Sequence, residues 1–250
     1  MNQELVLSRI EHGVLRLQIN VPERRNALSR PVLAKLTEKI VLADDSVLGI
    51  VLTGGVDIFS AGADFHELTG TVQDLSYDDT VSKLTAAIMA SPKIIVAAIE
   101  GGCLGAAADI ALTCDLRIGA MSSYVQIPAI RLGLLYNPTA IDRLRRVYAL
   151  DSIRRLLLFG EKFDADTALR VGFLSRLCPD GKASQWAIER LNRIERSTLA
   201  AIAATKRLLG ETDPDAGRTD HWQECRRRLL SSDARQHAIA QAQSRHGKKK

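Results

Sequence analysis

Apolar and polar positions alternate along residues 3–10 and again along 14–21 (VLRLQINV), with His12-Gly13 between the two runs. Period-two alternation broken at a glycine predicts two strands joined as a hairpin. At Ser29-Arg30-Pro31 the pattern changes to a helical one that continues through Leu42, with Ser29 as N-cap. The segments LGIVLTGG (48–55) and KIIVAAIEGG (93–102) are short, continuous apolar runs, each ended by paired glycines. Such runs predict strands buried on both faces. A polar, glycine-containing stretch from 54 to about 78 follows the first of them, as functional loops tend to look, and a helix over 79–91 leads into the second. A helix near 104–113 and a strand at 114–120 (CDLRIGA) come next, so strands and helices alternate and imply a sheet covered on both faces. Beyond about residue 138 the pattern is helical almost throughout, with a break near 172–180. A boundary is placed near residue 195, dividing a core of 1–195 from a helical region of 196–250 that suits an oligomer interface and ends in a basic tail.

Composition changes this picture little. The chain has 250 residues, 46% hydrophobic and 25% charged, which is ordinary for a globular protein. Aromatics are 4%, so the core rests on Leu, Ile, Val and Ala. The net charge of +5 comes from 34 basic and 29 acidic residues, and Lys248, Lys249 and Lys250 form a terminal basic run that reads as a solvated tail. The remainder is too small and too scattered for a nucleic-acid partner, and Arg226-Arg227-Arg228 reads as a solvated helix face. Four cysteines (Cys103, Cys114, Cys178, Cys225) show no metal-ligand spacing, so they are expected as free thiols and no metal is expected. No apolar run approaches the ~20 residues that a membrane helix needs, and the N-terminal segment lacks a signal peptide's apolar stretch. The expected location is the cytoplasm, with no membrane partner.

Two loops carry the candidate chemistry. Phe59-Ser60-Ala61-Gly62-Ala63-Asp64-Phe65-His66-Glu67-Leu68 follows the first buried strand, and its small residues allow a ligand to approach the backbone. Glu100-Gly101-Gly102-Cys103-Leu104-Gly105-Ala106-Ala107-Ala108-Asp109 follows the second and opens a helix, where unpaired N–H groups favour an anionic oxygen. If the two strands are neighbours, the N–H groups of Ala63 and Ala106 converge on one oxygen. Such an oxyanion hole suits a thioester whose carbonyl becomes an enolate. Taken singly, the first loop reads sooner as a tight turn capped by Asp64 and the second as a close-packed helix entry.

The order and spacing of Asn26-Ala27-Leu28-Ser29, the FSAGADFHEL segment, the 100–109 loop, Cys114-Asp115-Leu116, Arg131-Leu132-Gly133 and Ala168 to Leu174 together resemble the enoyl-CoA hydratase/isomerase (crotonase) superfamily over nearly the whole chain. The resemblance implies an α/β fold, a crotonase-type spiral of ββα turns with C-terminal helices, assembled as a homotrimer or a dimer of trimers. It implies an acyl-CoA substrate and no separate cofactor, coenzyme A being part of the substrate. It assigns the oxyanion-hole amides to Ala63 and Ala106. It also implies that Ala61, Asp64 and Phe65, with Ala27, Gly62 and Gly105, line the substrate path, and that Arg24 or Arg25, joined by Lys206, lies near the coenzyme A phosphates.

The chain departs from the family's hydratase pattern of two glutamates, having Asp109 at the first position and Ala129 at the second. Alanine transfers no proton, and a positioned acid or base is worth roughly 10²–10⁴ in rate. The stretches Leu75-Ser76-Tyr77-Asp78-Asp79 and Leu132-Gly133-Leu134-Leu135-Tyr136-Asn137 resemble the methylmalonyl-CoA decarboxylase branch, which places Tyr136 in the active site. That branch has a histidine at the position of Ala63, which this chain lacks, although His66 lies three residues on. A decarboxylase-like lyase is therefore the expected activity. The alternatives are a hydratase or isomerase using Asp109 and a non-catalytic acyl-CoA-binding homologue, with the thioester carried on free coenzyme A or on a carrier protein.

Overall fold

In the computed structural model, which describes residues 4–211 and 215–247, ten strands and ten helices are formed among the described residues. Contacts divide the chain into two units, 1–193 and 194–250. The first contains β1 (Val6–Glu11), β2 (Val14–Ile19), α1 (Arg30–Val41), β3 (Gly49–Thr53), β4 (Ile58–Ser60), α2 (Leu75–Ala90), β5 (Ile94–Ile99), β6 (Gly102–Leu104), α3 (Ala106–Thr113), β7 (Leu116–Ala120) and β8 (Tyr124–Gln126). It continues with α4 (Pro138–Val147), α5 (Leu150–Leu158), β9 (Phe163–Asp164), α6 (Ala165–Arg170), β10 (Arg176–Cys178) and α7 (Ala183–Leu191). The second unit holds α8 (Leu199–Leu209), α9 (Asp220–Leu230) and α10 (Asp233–Gly247). The expected lysine tail lies outside the described residues.

The strands form two sheets, ordered β1-β2-β3-β5-β7-β10 and β4-β6-β8-β9. The hairpin β1-β2 is antiparallel, and β2 to β10 run parallel in the first sheet. Each step of the chain places one strand in the first sheet, the next in the second, and then a helix: β3-β4-α2, β5-β6-α3, β7-β8-α4. This is the spiral of ββα turns. Both faces of the first sheet are covered, which is why β3 reads as an unbroken apolar run with every residue buried.

The helices add amphipathic stripes. Val32, Leu33, Leu36 and Ile40 of α1 are buried at helical spacing, and Ser29 accepts from the Val32 amide as the N-cap. Fully burying a Leu side chain contributes roughly 1.5–3 kcal/mol, so Leu33 and Leu36, both at 0% exposure, anchor this helix. The stripe of α2 (Tyr77, Val81, Leu84, Ile88) packs against it. The helix begins at Leu75, four residues before the expected start, because a turn over Val72–Asp74 feeds directly into it.

The passage from β5 to β6 requires a glycine. Gly101 has φ +56, and a Cβ there would collide with the Asp57 carbonyl oxygen. Only a residue without a side chain lets the two strands cross so closely. This crossing brings β6 alongside β4, with Ser60 opposite Cys103.

Candidate active site

Parallel pairing of β4 with β6 sets the geometry of the two loops. Ala63 lies three residues beyond Ser60 and Ala106 three beyond Cys103, and those two strand residues are register partners. The loops therefore leave adjacent strands at the same level. Their contact is tight at Gly62, which has φ +88. A Cβ there would stand 2.6 Å from the Leu104 carbonyl oxygen and 3.5 Å from the Ala106 nitrogen. An L-residue at this position is both strained and obstructed.

Neither alanine amide donates a hydrogen bond to another of the described residues. Leu28 forms a parallel bridge with Ala63, in which the Leu28 N–H donates to the Gly62 carbonyl at 2.8 Å. That pattern uses the peptide groups flanking Ala63, so the Ala63 N–H points away from Leu28. Ala106 is the first residue of α3, where N–H groups have no intrahelical acceptor and carry the positive end of the helix dipole. Gly105 precedes it at φ 52, ψ −120, a conformation open to glycine. The support is provided by the other side of the bridge. The Ala61 N–H donates to the Arg25 carbonyl at 3.0 Å, and the buried Tyr77 hydroxyl donates to the Leu28 carbonyl at 2.6 Å.

Ala61, Ala63, Phe65, Gly105, Ala106, Asp109 and Tyr136 line one cavity of about 490 Å³. Its wall includes Asp78 and Val81 of α2, and its rim is apolar, with Val72, Leu75, Leu132 and Leu135 each more than half exposed. A cavity of similar size, about 500 Å³, lies within the helical unit, but its lining holds no carboxyl group. Of the two, the first holds the carboxyl groups and both alanines.

The remaining expected residues sit elsewhere. Asp64, 3% exposed, faces away from the cavity lining, pairing with Arg24 at 2.8 Å and accepting from the His66 amide. Burial opposes ionisation of Asp64, yet the Arg24 and His66 contacts outweigh it and hold its carboxyl below the usual range. Arg24 and Arg25 are exposed on the segment that flanks Ala61, and Ala27 is buried beside it. Gly62 is outside the lining because it is packed on Leu104. His66 is largely exposed and also outside the lining. Lys206 belongs to α8 of the second unit. The four cysteines are free, and no cluster of metal-binding side chains occurs among the described residues. No helix among them is long and apolar enough to cross a membrane.

Asp109 is less available than its position suggests. Arg143 of α4 makes three hydrogen bonds to it, Nε to Oδ1 at 3.2 Å and Nη2 to both oxygens at 2.6 Å. Burial pushes its carboxyl up and the guanidinium pulls it down, with burial the larger. Arg143 is 34 positions away on a helix whose other arginines are exposed, so no local signal marks it as a partner. At the other expected acid position, Ala129 presents a methyl group to the cavity. The Tyr136 hydroxyl donates to the Gly105 carbonyl at 3.0 Å, so it braces the residue next to Ala106, and burial raises it well above the ordinary tyrosine range.

Known proteins match this chain over most of its length. The enoyl-CoA hydratase/isomerase family model matches residues 9–246. The probable enoyl-CoA hydratase echA6 of Mycobacterium tuberculosis is 37% identical over 200 residues, 80% of this chain and 79% of that one. The methylmalonyl-CoA decarboxylase of Escherichia coli is 30% identical over 202 residues, 78% and 77% of the two chains. In fold, the enoyl-CoA hydratase/carnithine racemase structure from Magnetospirillum magneticum superposes with a TM-score of 0.86 at 24% identity, covering 98% of this chain and 94% of that one. The chain belongs to the enoyl-CoA hydratase/isomerase family.

Proposed function

We propose that this chain is an acyl-CoA-processing enzyme in which the Ala63 and Ala106 amides hold the thioester oxygen while it becomes an enolate, and that its reaction is a decarboxylase-like lyase step. The observation that carries this reading is the pair of free amides at one mouth of the cavity, beside an Asp109 already occupied by Arg143 and an Ala129 that offers no acid. Hydration needs a water held and activated by two carboxyl groups. Here one is replaced by a methyl group, and both oxygens of the other are taken. Decarboxylation needs less: loss of CO₂ itself delivers the electron pair that forms the enolate, so two amide donors and a proton source suffice. The exposed apolar rim suits an acyl group with aliphatic surface. The exposed Arg24 and Arg25 are the residues proposed for the coenzyme A phosphates, and the proposed assembly is a trimer or a pair of trimers, which light scattering measures directly.

A hydratase or isomerase reading is favoured by one observation, the name carried by relatives such as the probable enoyl-CoA hydratase echA6 of Mycobacterium tuberculosis. Incubating the purified protein with methylmalonyl-, ethylmalonyl- and crotonyl-CoA, followed by mass spectrometry, separates the two. Loss of CO₂ from either malonyl thioester with crotonyl-CoA unchanged is the expected outcome. Hydration of crotonyl-CoA alone contradicts the lyase reading.

Tyr136→Phe is expected to lower turnover of the active thioester at least tenfold, since it removes the hydroxyl that braces Gly105 and lines the cavity. Steady-state kinetics at matched substrate saturation check this, and unchanged kcat reduces Tyr136 to packing.

A further inference from the structure

The cavity holds a further carboxyl group besides Asp109 and Asp74. Asp78 lies in the first turn of α2, half-buried, and lines the same cavity as Ala63 and Ala106. Its polar neighbours in that lining are all engaged. Asp74 accepts from the Thr69 and Gly70 amides, Tyr77 donates to Leu28, Asp109 is held by Arg143, Tyr136 donates to Gly105, and the Asn137 side chain caps α4. Asp78 makes no hydrogen bond or ion pair with the other described residues. On an exposed helix face an unpaired first-turn acid needs no explanation beyond the helix dipole. Inside a cavity lined by leucines and two oxyanion-type amides, it is a carboxyl group free to exchange a proton with whatever occupies the space.

We propose that Asp78 is the acid that carries the α-proton of the bound thioester, in place of the two expected acid positions; this rests on the acyl-CoA reading of the site. In the lyase direction the breaking bond to the carboxylate leaves its electron pair on Cα, forming the enolate held by Ala63 and Ala106. That pair then takes the Asp78 proton to form the Cα–H bond, the carbonyl is restored, and Asp78 recovers a proton from water. The net change is one CO₂ released and one proton consumed. The electrostatic setting matches the role. Burial, together with the neighbouring Asp79, Asp109 and Asp74 carboxylates, pushes the Asp78 carboxyl up and favours the form that has a proton to give.

The same group, run in reverse, exchanges an α-proton of a simple acyl-CoA that has no carboxylate to lose. The test is therefore deuterium incorporation at the α-carbon of butyryl-CoA in D₂O, followed by NMR, alongside binding of the same thioester. Wild-type protein is expected to exchange. Asp78→Asn is expected to slow exchange about 10²-fold with affinity for butyryl-CoA within twofold of wild type, and Asp78→Glu to recover at least a tenth of the wild-type rate. Exchange at the wild-type rate by a folded Asp78→Asn overturns the assignment and leaves the acyl-CoA reading intact. Wild-type protein that binds butyryl-CoA without exchange also overturns it. Failure of wild type to bind any coenzyme A thioester defeats the acyl-CoA reading itself, and this assignment with it.

Discussion

Ala106→Pro is expected to lower turnover about 10²–10³-fold while leaving the protein folded, because removing one oxyanion donor typically costs that much. The substitution isolates the main-chain N–H. Proline lacks that hydrogen, and the first position of a helix is where its ring is tolerated best, since no intrahelical bond is lost and φ is already suitable. Ala106 occupies that position in α3. Gly105 before it has φ 52 and ψ −120, the mirror image of the extended conformation that a residue preceding proline prefers, and glycine has no Cβ to make the mirror image costly. Ala106→Ser is the control, since it keeps the amide and changes only the side chain. If the serine variant retains activity and the proline variant does not, the loss belongs to the N–H. Equal activity in both removes Ala106 from the chemistry.

The second large effect is on stability. Arg143→Met is expected to destabilise the fold by about 3–5 kcal/mol at pH 8, the usual cost of leaving a buried carboxylate without its partner. Asp109 qualifies, since its side chain is 6% exposed and that of Arg143 18%. The loss depends on pH. Burial holds the Asp109 carboxyl above its ordinary value of 3.8 even with the guanidinium in place. The folded state therefore keeps a proton over a window in which the unfolded chain has released it, and stability declines as pH rises through that window. Removing Arg143 takes away the group that pulls the carboxyl down, while Asp78 and Tyr136 remain nearby. The window extends upward, so Arg143→Met loses less at pH 5 than at pH 8, and Asp109→Asn in the same chain recovers part of the loss. Urea unfolding at the two pH values measures this. An equal loss at both contradicts the account of Asp109.

The legible parts of the fold were those whose burial writes a pattern into contiguous residues. β3 and β5 are buried on both faces and read as apolar runs, and α1 shows its stripe and its serine cap. The short strands β4, β6, β8 and β9 have two or three residues each, and their pairing partners lie 22 or more positions away, so no local period announces them. The same division runs through the site. Ala63, Ala106, Asp109 and Tyr136 were approachable from loop composition and family resemblance, and the structure gathers all four around one cavity. Arg143 was not, and Asp78 stood only within the resembling Leu75 to Asp79 stretch with no role attached to it. A charged residue on a helix looks solvated in one dimension, and only packing reveals that one meets a buried carboxylate and the other faces a cavity. Asp64 shows the opposite case: it belongs to the recognisable loop, yet its carboxylate turns away to Arg24 and caps a turn.

The most direct test of the oxyanion site is a structure of the protein with an unreactive acyl-CoA bound. The thioester oxygen is expected to lie about 2.7–3.1 Å from the nitrogens of both Ala63 and Ala106, the range in which such donors act. A thioester seated elsewhere, or one whose oxygen reaches neither nitrogen, contradicts the account.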